Sequence, residues 1–368
     1  MIGIITFHYV NNLGAVLQAS ALQEYISQNV DDCELINYIP NNDIPPRKFV
    51  FLRRIAHNSK ILLTSKHPNA DFKRERSFRK YRSKYMNISG RCYYGDKDIF
   101  SNPPEYDVLV SGSDQIFNTT LTGNSEAYYL GFDHNAKKIS YASSFGRTEI
   151  TEKEKQLIVS GLDKFDYISV REKSGKEIVE KYTHRVPQLV VDPVFLLDRT
   201  AWEYRCSECL TGKYIFVYSM ENSPVLETIV NELKETSKLP VYVVRGGGTT
   251  GRISGEEVFS CGPSEFLGYI KNAEYIITNS FHGTAFGYIF GKKILSVAHS
   301  TRNTRLENLL SLTNMYNKQY KTAEGIASAE DCIIDGEEAF FHMTRIIADS
   351  KTYLERALST NRRYERQL

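Results

Sequence analysis

The chain has 368 residues, 41% of them hydrophobic and 24% charged, with a formal net charge of +2, which predicts a soluble globular protein of two domains. No apolar run approaches the roughly 20 residues that span a bilayer, and the segment 1–7 lacks the basic region of a secretory signal and has the pattern of a first strand. We therefore expect a cytoplasmic protein.

The first half of the chain alternates between apolar strands and helical patterns. Residues 151–154 match the capping box that begins a helix, and Asp192 followed by Pro193 closes this half. The predicted strands are 2–6, 34–38, 107–111, 138–142, 167–170 and 188–191, and the predicted helices are 15–28, 151–162 and 174–182.

A second alternating series begins at residue 214. Its predicted strands are 214–218, 241–245, 275–278 and 294–297, and its predicted helices are 225–236, 263–272 and 284–290. A glycine-rich turn, 246–248, follows its second strand. Alternation of this kind predicts parallel sheets covered by helices. We expect an α/β protein of two Rossmann-like domains facing a cleft, over 1–205 and 206–335, with a helical tail over 336–368.

One segment, residues 45–86, breaks the alternation and is strongly basic. Between Arg47 and Lys84 it has thirteen basic residues and two acidic ones, Asp71 and Glu75. Apolar side chains alternate with these cations, which predicts a helical insertion in the N-terminal domain. Two interpretations stay open: a basic amphipathic surface that contacts an anionic membrane, or a solvated helical hairpin packed on the first domain. Nucleic-acid binding is not expected, because no nucleic-acid motif accompanies the charge.

The six cysteines are scattered, and two of them, Cys206 and Cys209, form a single CxxC pair. A zinc site of this kind needs a second pair of ligands, and no second CxxC is present. We expect ordinary thiols in a reducing compartment and no bound metal.

The most informative stretch is 275–287, which has the pattern of a buried strand, a polar turn and the start of a helix. The turn places His282 among Ser280, Gly283 and Thr284, where backbone N–H groups and the helix dipole favour an anion. A titratable imidazole beside a phosphate-sized anion site is what transfer from a phosphorylated donor requires. The stretch therefore predicts an enzyme with His282 as its catalytic acid and base, and a purely structural histidine is the alternative.

Five ordered motifs resemble the polysaccharide pyruvyl transferase family over roughly residues 1–312. They are Asn12-Leu-Gly14, Gly112-Ser-Asp-Gln115, Ser169-Val-Arg-Glu-Lys-Ser174, Val191-Asp-Pro193 and Thr278-Asn-Ser-Phe-His-Gly283. The resemblance implies a fold like that of two-domain glycosyltransferases (GT-B-like). It also implies transfer of a pyruvyl group from phosphoenolpyruvate to two hydroxyls of a sugar, with release of phosphate. By this resemblance Arg171 binds the donor and His282 lies at the reaction centre. No cofactor is expected besides phosphoenolpyruvate as the donor substrate.

The chain departs from the family at one position. Members have an arginine two residues before the histidine, whereas this chain has Ser280, so that a bidentate cation for the donor is lost. Arg245, which opens the glycine-rich turn, is one candidate to replace it. Arg302 and Arg305, from a neighbouring loop, are the others.

Polar residues after the strands of the first domain predict the acceptor side of the site. Open α/β sheets bind ligands at the carboxyl ends of their strands, where this sequence has Asn11, Asn12, Gly14, Asp114 and Gln115. Asp114 either accepts a proton from a sugar hydroxyl or caps the following turn. The predicted acceptor is a sugar, or a polyprenyl-diphosphate-linked oligosaccharide, of a bacterial surface polysaccharide. Such an acceptor would bring the protein to the inner face of the membrane.

Two other functions stay open. The same fold would suit a glycosyltransferase with a nucleotide-sugar donor, an interpretation that gains weight from the missing arginine at Ser280. A non-catalytic protein that binds a phosphorylated ligand is the other alternative, and it predicts that His282→Ala keeps ligand affinity.

Overall fold

The computed structural model of the chain describes residues 1–43, 62, 65–133, 135–208, 210–246, 253–301, 303–321 and 329–359. Contacts divide these residues into two compact units. Unit 1 takes the described residues of 1–56, 82–196 and 346–368, and unit 2 takes those of 57–81 and 197–345.

Within its described residues, unit 1 contains a seven-stranded parallel sheet. Ile4 of the first strand pairs with Leu35 on one side and with Val110 on the other. The strands are β1 (Ile2–Ile5), β2 (Cys33–Ile39), β3 (Ile88–Tyr94), β4 (Val108–Asp114), β5 (Lys137–Ser143), β6 (Ser169–Val170) and β7 (Gln188–Leu189). Their order is β3-β2-β1-β4-β5-β6-β7. The strand order therefore reverses between β1 and β4, the position at which open α/β sheets bind ligands.

The helices of unit 1 follow its strands, and two of them begin at side-chain caps. Asn12 caps the first helix by accepting a hydrogen bond from Ala15 N at 3.1 Å, and the predicted capping box of Thr151 and Glu154 is confirmed. The helices are α1 (Leu13–Asn29), α2 (Pro68–Tyr85, with 68–81 in unit 2), α3 (Gly95–Ser101), α4 (Thr119–Thr122), α5 (Glu152–Leu162) and α6 (Lys173–Tyr182).

Unit 2 contains a second sheet, of six strands among the described residues. The strands are β8 (Ile215–Ser219), β9 (Val241–Arg245), β10 (Glu256–Glu257), β11 (Tyr275–Thr278), β12 (Lys293–Ser296) and β13 (Ile334–Asp335). Their order is β10-β9-β8-β11-β12-β13, and only β13 pairs antiparallel. The strand order reverses between β8 and β11, whose residues are almost all buried.

The helices of unit 2 bury apolar side chains against this sheet and against one another. Trp202, fully buried, contacts Phe286 edge to face at 4.9 Å. The helices are α7 (Arg199–Glu203), α8 (Pro224–Ser237), α9 (Pro263–Asn272), α10 (Phe281–Ile289), α11 (Thr304–Leu312) and α12 (Gly336–Ser359, with 346–359 in unit 1).

The prediction of two Rossmann-like α/β halves is confirmed by these two sheets. The units change over at residue 197 rather than 206, and the helical tail contributes to both. Of the basic segment 45–86, residues 45–61, 63 and 64 lie outside the described residues. Its described part forms α2, and residues 68–81 of that helix belong to unit 2 rather than to the N-terminal domain. None of the helices that the structure describes is both long and apolar enough to cross a membrane.

Candidate functional site

The carboxyl edge of the unit 2 sheet, at the reversal between β8 and β11, is the first candidate site. β11 leads through Asn279 and Ser280 directly into α10. Beside it, β8 ends at Ser219 and is followed by Met220 and Glu221. This arrangement places the N-terminus of a nine-residue helix at the ligand-binding edge of a parallel sheet.

The local sequence explains why α10 begins where it does. Ser280 adopts an extended backbone as N-cap, and its hydroxyl accepts a hydrogen bond from Gly283 N at 3.4 Å. The turn is held further by Thr278, whose hydroxyl accepts from Ser280 N at 3.0 Å and donates to Tyr218 O at 2.7 Å. A Cβ at Gly283 would lie 2.5 Å from Thr278 Oγ1. Gly283 therefore permits the close approach of strand and helix.

His282 is the second residue of α10 and is buried, with 8% of its surface exposed. Its ring lies edge to face against Phe281, with the ring centroids 5.1 Å apart. Thr284, predicted beside it, is fully buried in the same turn. The structure thus brings His282, Ser280, Gly283 and Thr284 together at one helix N-terminus, where the amides and the helix dipole favour negative charge.

The three arginines predicted to replace the missing cation lie in different places. Arg245 ends β9, which β8 separates from β11, and its guanidinium lies 2.9 Å from the carboxylate of Glu257. Arg305 lies in the first turn of α11. Arg302 is outside the described residues. A donor-binding role for these arginines stays a prediction.

Sequence reasoning missed several polar residues at the same edge. Asn279 is 2% exposed, and its Oδ1 accepts a hydrogen bond from Met220 N at 2.7 Å. Glu221 accepts from Ser300 N at 2.7 Å and from the Ser300 hydroxyl at 2.5 Å. His299 Nδ1 lies 3.5 Å from a carboxylate oxygen of Glu221. These contacts join loops that lie far apart in the sequence, so no local motif signals them.

In unit 1, Arg171 is surrounded by carboxylates. It is 4% exposed, forms an ion pair with Asp192, and places Nη2 3.0 Å from Asp114 Oδ1. Its Nε lies 3.7 Å from Glu172. Burial alone would lower the pKa of Arg171, but these three carboxylates raise it on balance. Its contacts are those of a residue that orients Asp114 and Asp192, and its predicted role in donor binding stays a prediction.

The other residues predicted for the acceptor site lie around the carboxyl edge of the unit 1 sheet. Asn12 caps α1, and Gly14 is buried within that helix. Asn11 Oδ1 accepts from Arg82 Nη2 at 2.9 Å. Gln115, 8% exposed, follows β4, and its Oε1 accepts from Asn118 at 3.3 Å. The side chains of Asn11, Asn12 and Gln115 each have a structural hydrogen bond. Acceptor binding by these residues and Gly14 stays a prediction.

His8 is a further buried histidine at this edge that the sequence did not single out. It is 1% exposed, and its Nδ1 lies 3.1 Å from Thr6 O. Because a carbonyl only accepts, Nδ1 carries the proton in the neutral ring. Burial lowers the pKa of His8 to about 4, with the charge of Arg82 acting in the same direction. The ring is therefore neutral at neutral pH.

Among the described residues, no group of three or more His, Cys, Asp or Glu side chains is arranged to hold a metal ion. Cys206 is half-buried and its sulfur donates to Trp202 O at 3.4 Å. Cys209, the second member of the CxxC pair, lies outside the described residues.

The two parallel α/β sheets, each with its helices, define a protein of the two-domain Rossmann-like class. A family model described as polysaccharide pyruvyl transferase matches residues 12–301, most of the chain. The chain belongs to the polysaccharide pyruvyl transferase family. The predicted resemblance is thereby confirmed.

A search of the curated proteins gave no match. Among solved structures, MnaA from S. aureus with UDP is 10% identical, with a TM-score of 0.48 over 98% of this chain and 91% of the other. The UDP-GlcNAc 2-epimerase of Methanocaldococcus jannaschii is 11% identical, with a TM-score of 0.45 over 98% and 93%. ADP-heptose LPS heptosyltransferase II of E. coli is 8% identical, with a TM-score of 0.34 over 95% and 99%. Likenesses this distant carry no argument about chemistry.

Proposed function

We propose that the chain transfers the pyruvyl group of phosphoenolpyruvate to a sugar of a bacterial surface polysaccharide, or of its lipid-linked precursor. The products are a cyclic pyruvate ketal and phosphate. Membership of the family supports the class of reaction. Within the chain, the observation that carries the proposal is His282, a buried imidazole in the first turn of α10 at the reversal of the unit 2 sheet.

The proposed reaction needs an acid, a base and an anion site. Protonation of the methylene carbon makes C2 electrophilic, and a first sugar hydroxyl bonds to C2 and gives up its proton. The bond between C2 and the phosphate oxygen then breaks, and a second hydroxyl closes the ketal while its proton leaves with the phosphate. His282 suits the acid and base steps because imidazole exchanges protons near neutral pH.

The start of α10 suits the phosphate or carboxylate of the donor. The helix dipole stabilises an anion at this end of α10. Ser280, Gly283 and Thr284 form the turn, and their backbone N–H groups bond to Thr278 Oγ1, Ser280 Oγ and Ser280 O. Their proposed contribution is therefore the dipole and the Ser280 hydroxyl. On the acceptor side, Asp114 is the candidate to accept a hydroxyl proton, with its orientation set by Arg171 at 3.0 Å. No cofactor enters the proposed reaction.

A labelled donor tests the proposal. The full chain is incubated with carbon-labelled phosphoenolpyruvate and a panel of methyl glycosides and polyprenyl-diphosphate-linked sugars, and labelled ketal and free phosphate are measured. His282→Gln should reduce product by about 10²-fold or more, whereas the same change at exposed His184 should have no effect. Product only from nucleotide-sugars would favour the glycosyltransferase. Unchanged phosphoenolpyruvate affinity in His282→Ala, with no turnover by the wild type, would favour a binding protein.

The proposed location is cytoplasmic, at the inner face of the membrane. The described part of the basic segment supports it through exposed cations on α2, which are Lys73, Arg76, Arg79, Lys80 and Lys84. Each cation near an anionic leaflet contributes about 1 kcal/mol. Binding to vesicles with anionic lipid should therefore fall in an Arg79→Ala/Lys80→Ala variant and persist in a Lys213→Ala/Lys238→Ala control. Equal binding of the two variants would exclude a membrane role for α2.

A further inference from the structure

Asn279 lies at the junction of β11 and α10, directly before the N-cap residue Ser280. Its side chain is 2% exposed. Met220 N, just past the end of β8, donates to its Oδ1 at 2.7 Å. A backbone N–H can only donate, so this contact fixes which end of the amide is the oxygen. Asn279 therefore connects the two strands between which the sheet reverses.

The fixed orientation leaves Nδ2 as a hydrogen-bond donor at this edge. Within the part of the chain that the structure describes, Asn279 Nδ2 is buried and has no hydrogen-bond partner. A buried donor without an acceptor destabilises a protein, so native structures rarely keep one without a functional reason. An acceptor supplied by a ligand would satisfy it.

The surroundings indicate what that ligand is. The donor lies one residue before a helix cap, where first-turn amides and the helix dipole favour an anion. Ser280 brings no positive charge to this turn, and Arg245, two strands away, is paired with Glu257 at 2.9 Å. The acceptor that fits is a phosphate or carboxylate oxygen.

We propose that Asn279 binds the anionic group of the donor substrate, with Nδ2 donating to a phosphate or carboxylate oxygen at the N-terminus of α10. A neutral amide thus serves where an arginine side chain is absent from the helix cap. The identification of the anion as phosphoenolpyruvate rests on the proposed function, but the anion site itself does not.

Asn279→Asp is the most direct variant. The carboxylate keeps an oxygen for Met220 N and replaces only the donor with a second acceptor, so that the packing is retained while an anion is repelled. Asn279→Ala removes both contacts. Asn272→Asp is the matched control, because Asn272 is exposed and lies in unit 2 at the last residue of α9.

Binding of inorganic phosphate and of phosphoenolpyruvate to the full chain is measured by titration calorimetry. Asn279→Asp should weaken both affinities about 100-fold or more and Asn279→Ala about tenfold, as expected for one hydrogen bond to a charged group. Asn272→Asp should match the wild type. The fluorescence of Trp202, the single tryptophan of the chain, reports whether each variant is folded, since it packs on Phe286 of α10. If Asn279→Asp does not fold, Asn279→Ala decides the result.

The outcomes separate this inference from the proposed function. Lost anion binding in the Asn279 variants supports the inference, even if the wild type makes no ketal with any acceptor. Wild-type affinity in a folded Asn279→Ala variant overturns it, even if ketal is formed. A wild type that binds neither phosphate nor phosphoenolpyruvate at millimolar concentration also overturns it.

Discussion

Arg171 and Asp114 form an ion pair in unit 1, with Nη2 of the arginine 3.0 Å from Oδ1 of the aspartate. Asp192 contacts the other end of the same guanidinium. Asp114 ends β4 with a φ of 71°, a left-handed conformation that few residues other than glycine adopt. The ion pair therefore fixes a carboxylate on a backbone that is itself unusual, at the reversal of the sheet.

This arrangement predicts a large loss of stability for Arg171→Met. Removal of one partner from a buried pair leaves carboxylates without their cation, which costs about 3–5 kcal/mol. Thermal and urea unfolding measure the loss. Lys176→Met is the control, because the exposed Lys176–Glu180 pair at 3.7 Å should contribute about 1 kcal/mol or less.

A second substitution at this position, Arg171→Lys, distinguishes a positioning role from donor binding. If Arg171 binds the donor directly, Arg171→Lys should raise the KM for phosphoenolpyruvate with kcat retained. If it orients Asp114, Arg171→Lys should lower kcat, and Asp114→Asn should lower kcat by a similar factor. A raised KM alone would contradict the positioning role.

Because His8 is buried, we expect the stability of unit 1 to decrease at acidic pH. Its pKa is lowered to about 4 by burial, against about 6.5 in an unfolded chain. The unfolded chain therefore binds more protons between these values, and stability falls as the pH drops from about 6.5 to about 4, by about 3 kcal/mol. Above pH 6.5 the contribution is complete. His8→Gln should flatten the pH dependence of the urea midpoint. His184→Gln, at an exposed histidine, is the control and should leave that dependence unchanged. If the urea midpoint has the same slope against pH in both variants, the prediction is wrong.

The central strands could be predicted from the sequence because buried parallel strands are nearly continuous apolar runs. The predicted strand 275–278 coincides with β11, and 241–245 coincides with β9. The strand β3 was missed, because it carries Ser89, Gly90 and Arg91 in a half-exposed position at the sheet edge. The predicted start of α10 is three residues late, because the sequence pattern places Ser280 in a turn, whereas Ser280 is the N-cap of the helix.

The candidate site can be predicted only in part, because some of its contacts join residues that are far apart in the sequence. His282 lies in a contiguous motif that pattern and resemblance both identify. Asn279 stands in the same motif, but its role depends on a contact with Met220, 59 residues earlier. Two of the carboxylates around Arg171 come from distant segments, Asp114 from 57 residues and Asp192 from 21 residues away, whereas Glu172 is its neighbour in the sequence. Contacts between distant segments have no local periodicity, so only the structure reveals them.

Arg82, one of the cations of the basic segment, has a structural role. Its guanidinium donates to His8 O, Tyr9 O and Val10 O at 2.6–3.1 Å. Loss of these bonds in Arg82→Ala should destabilise the loop between β1 and α1, by about 1–3 kcal/mol, and speed amide exchange over residues 8–11. Exposed Arg79, three residues earlier on α2, is the control. If both alanine variants unfold and exchange alike, the loop does not depend on Arg82.

Gly283 allows the start of α10 to lie close to β11, and a larger residue there should disturb this contact. A Cβ there would lie 2.5 Å from Thr278 Oγ1 and 3.0 Å from Thr278 Cβ, and Thr278 is itself held by two hydrogen bonds. Gly283→Ala must therefore displace the turn that presents His282, at a cost of about 1–3 kcal/mol. In Gly283→Ala, both the melting temperature and the phosphate affinity measured by calorimetry should be lower than in the wild type. Gly90→Ala is the matched control, because a Cβ at Gly90 meets no atom within 4 Å among the described residues. Wild-type phosphate affinity in Gly283→Ala would show that the anion binds away from the first turn of α10.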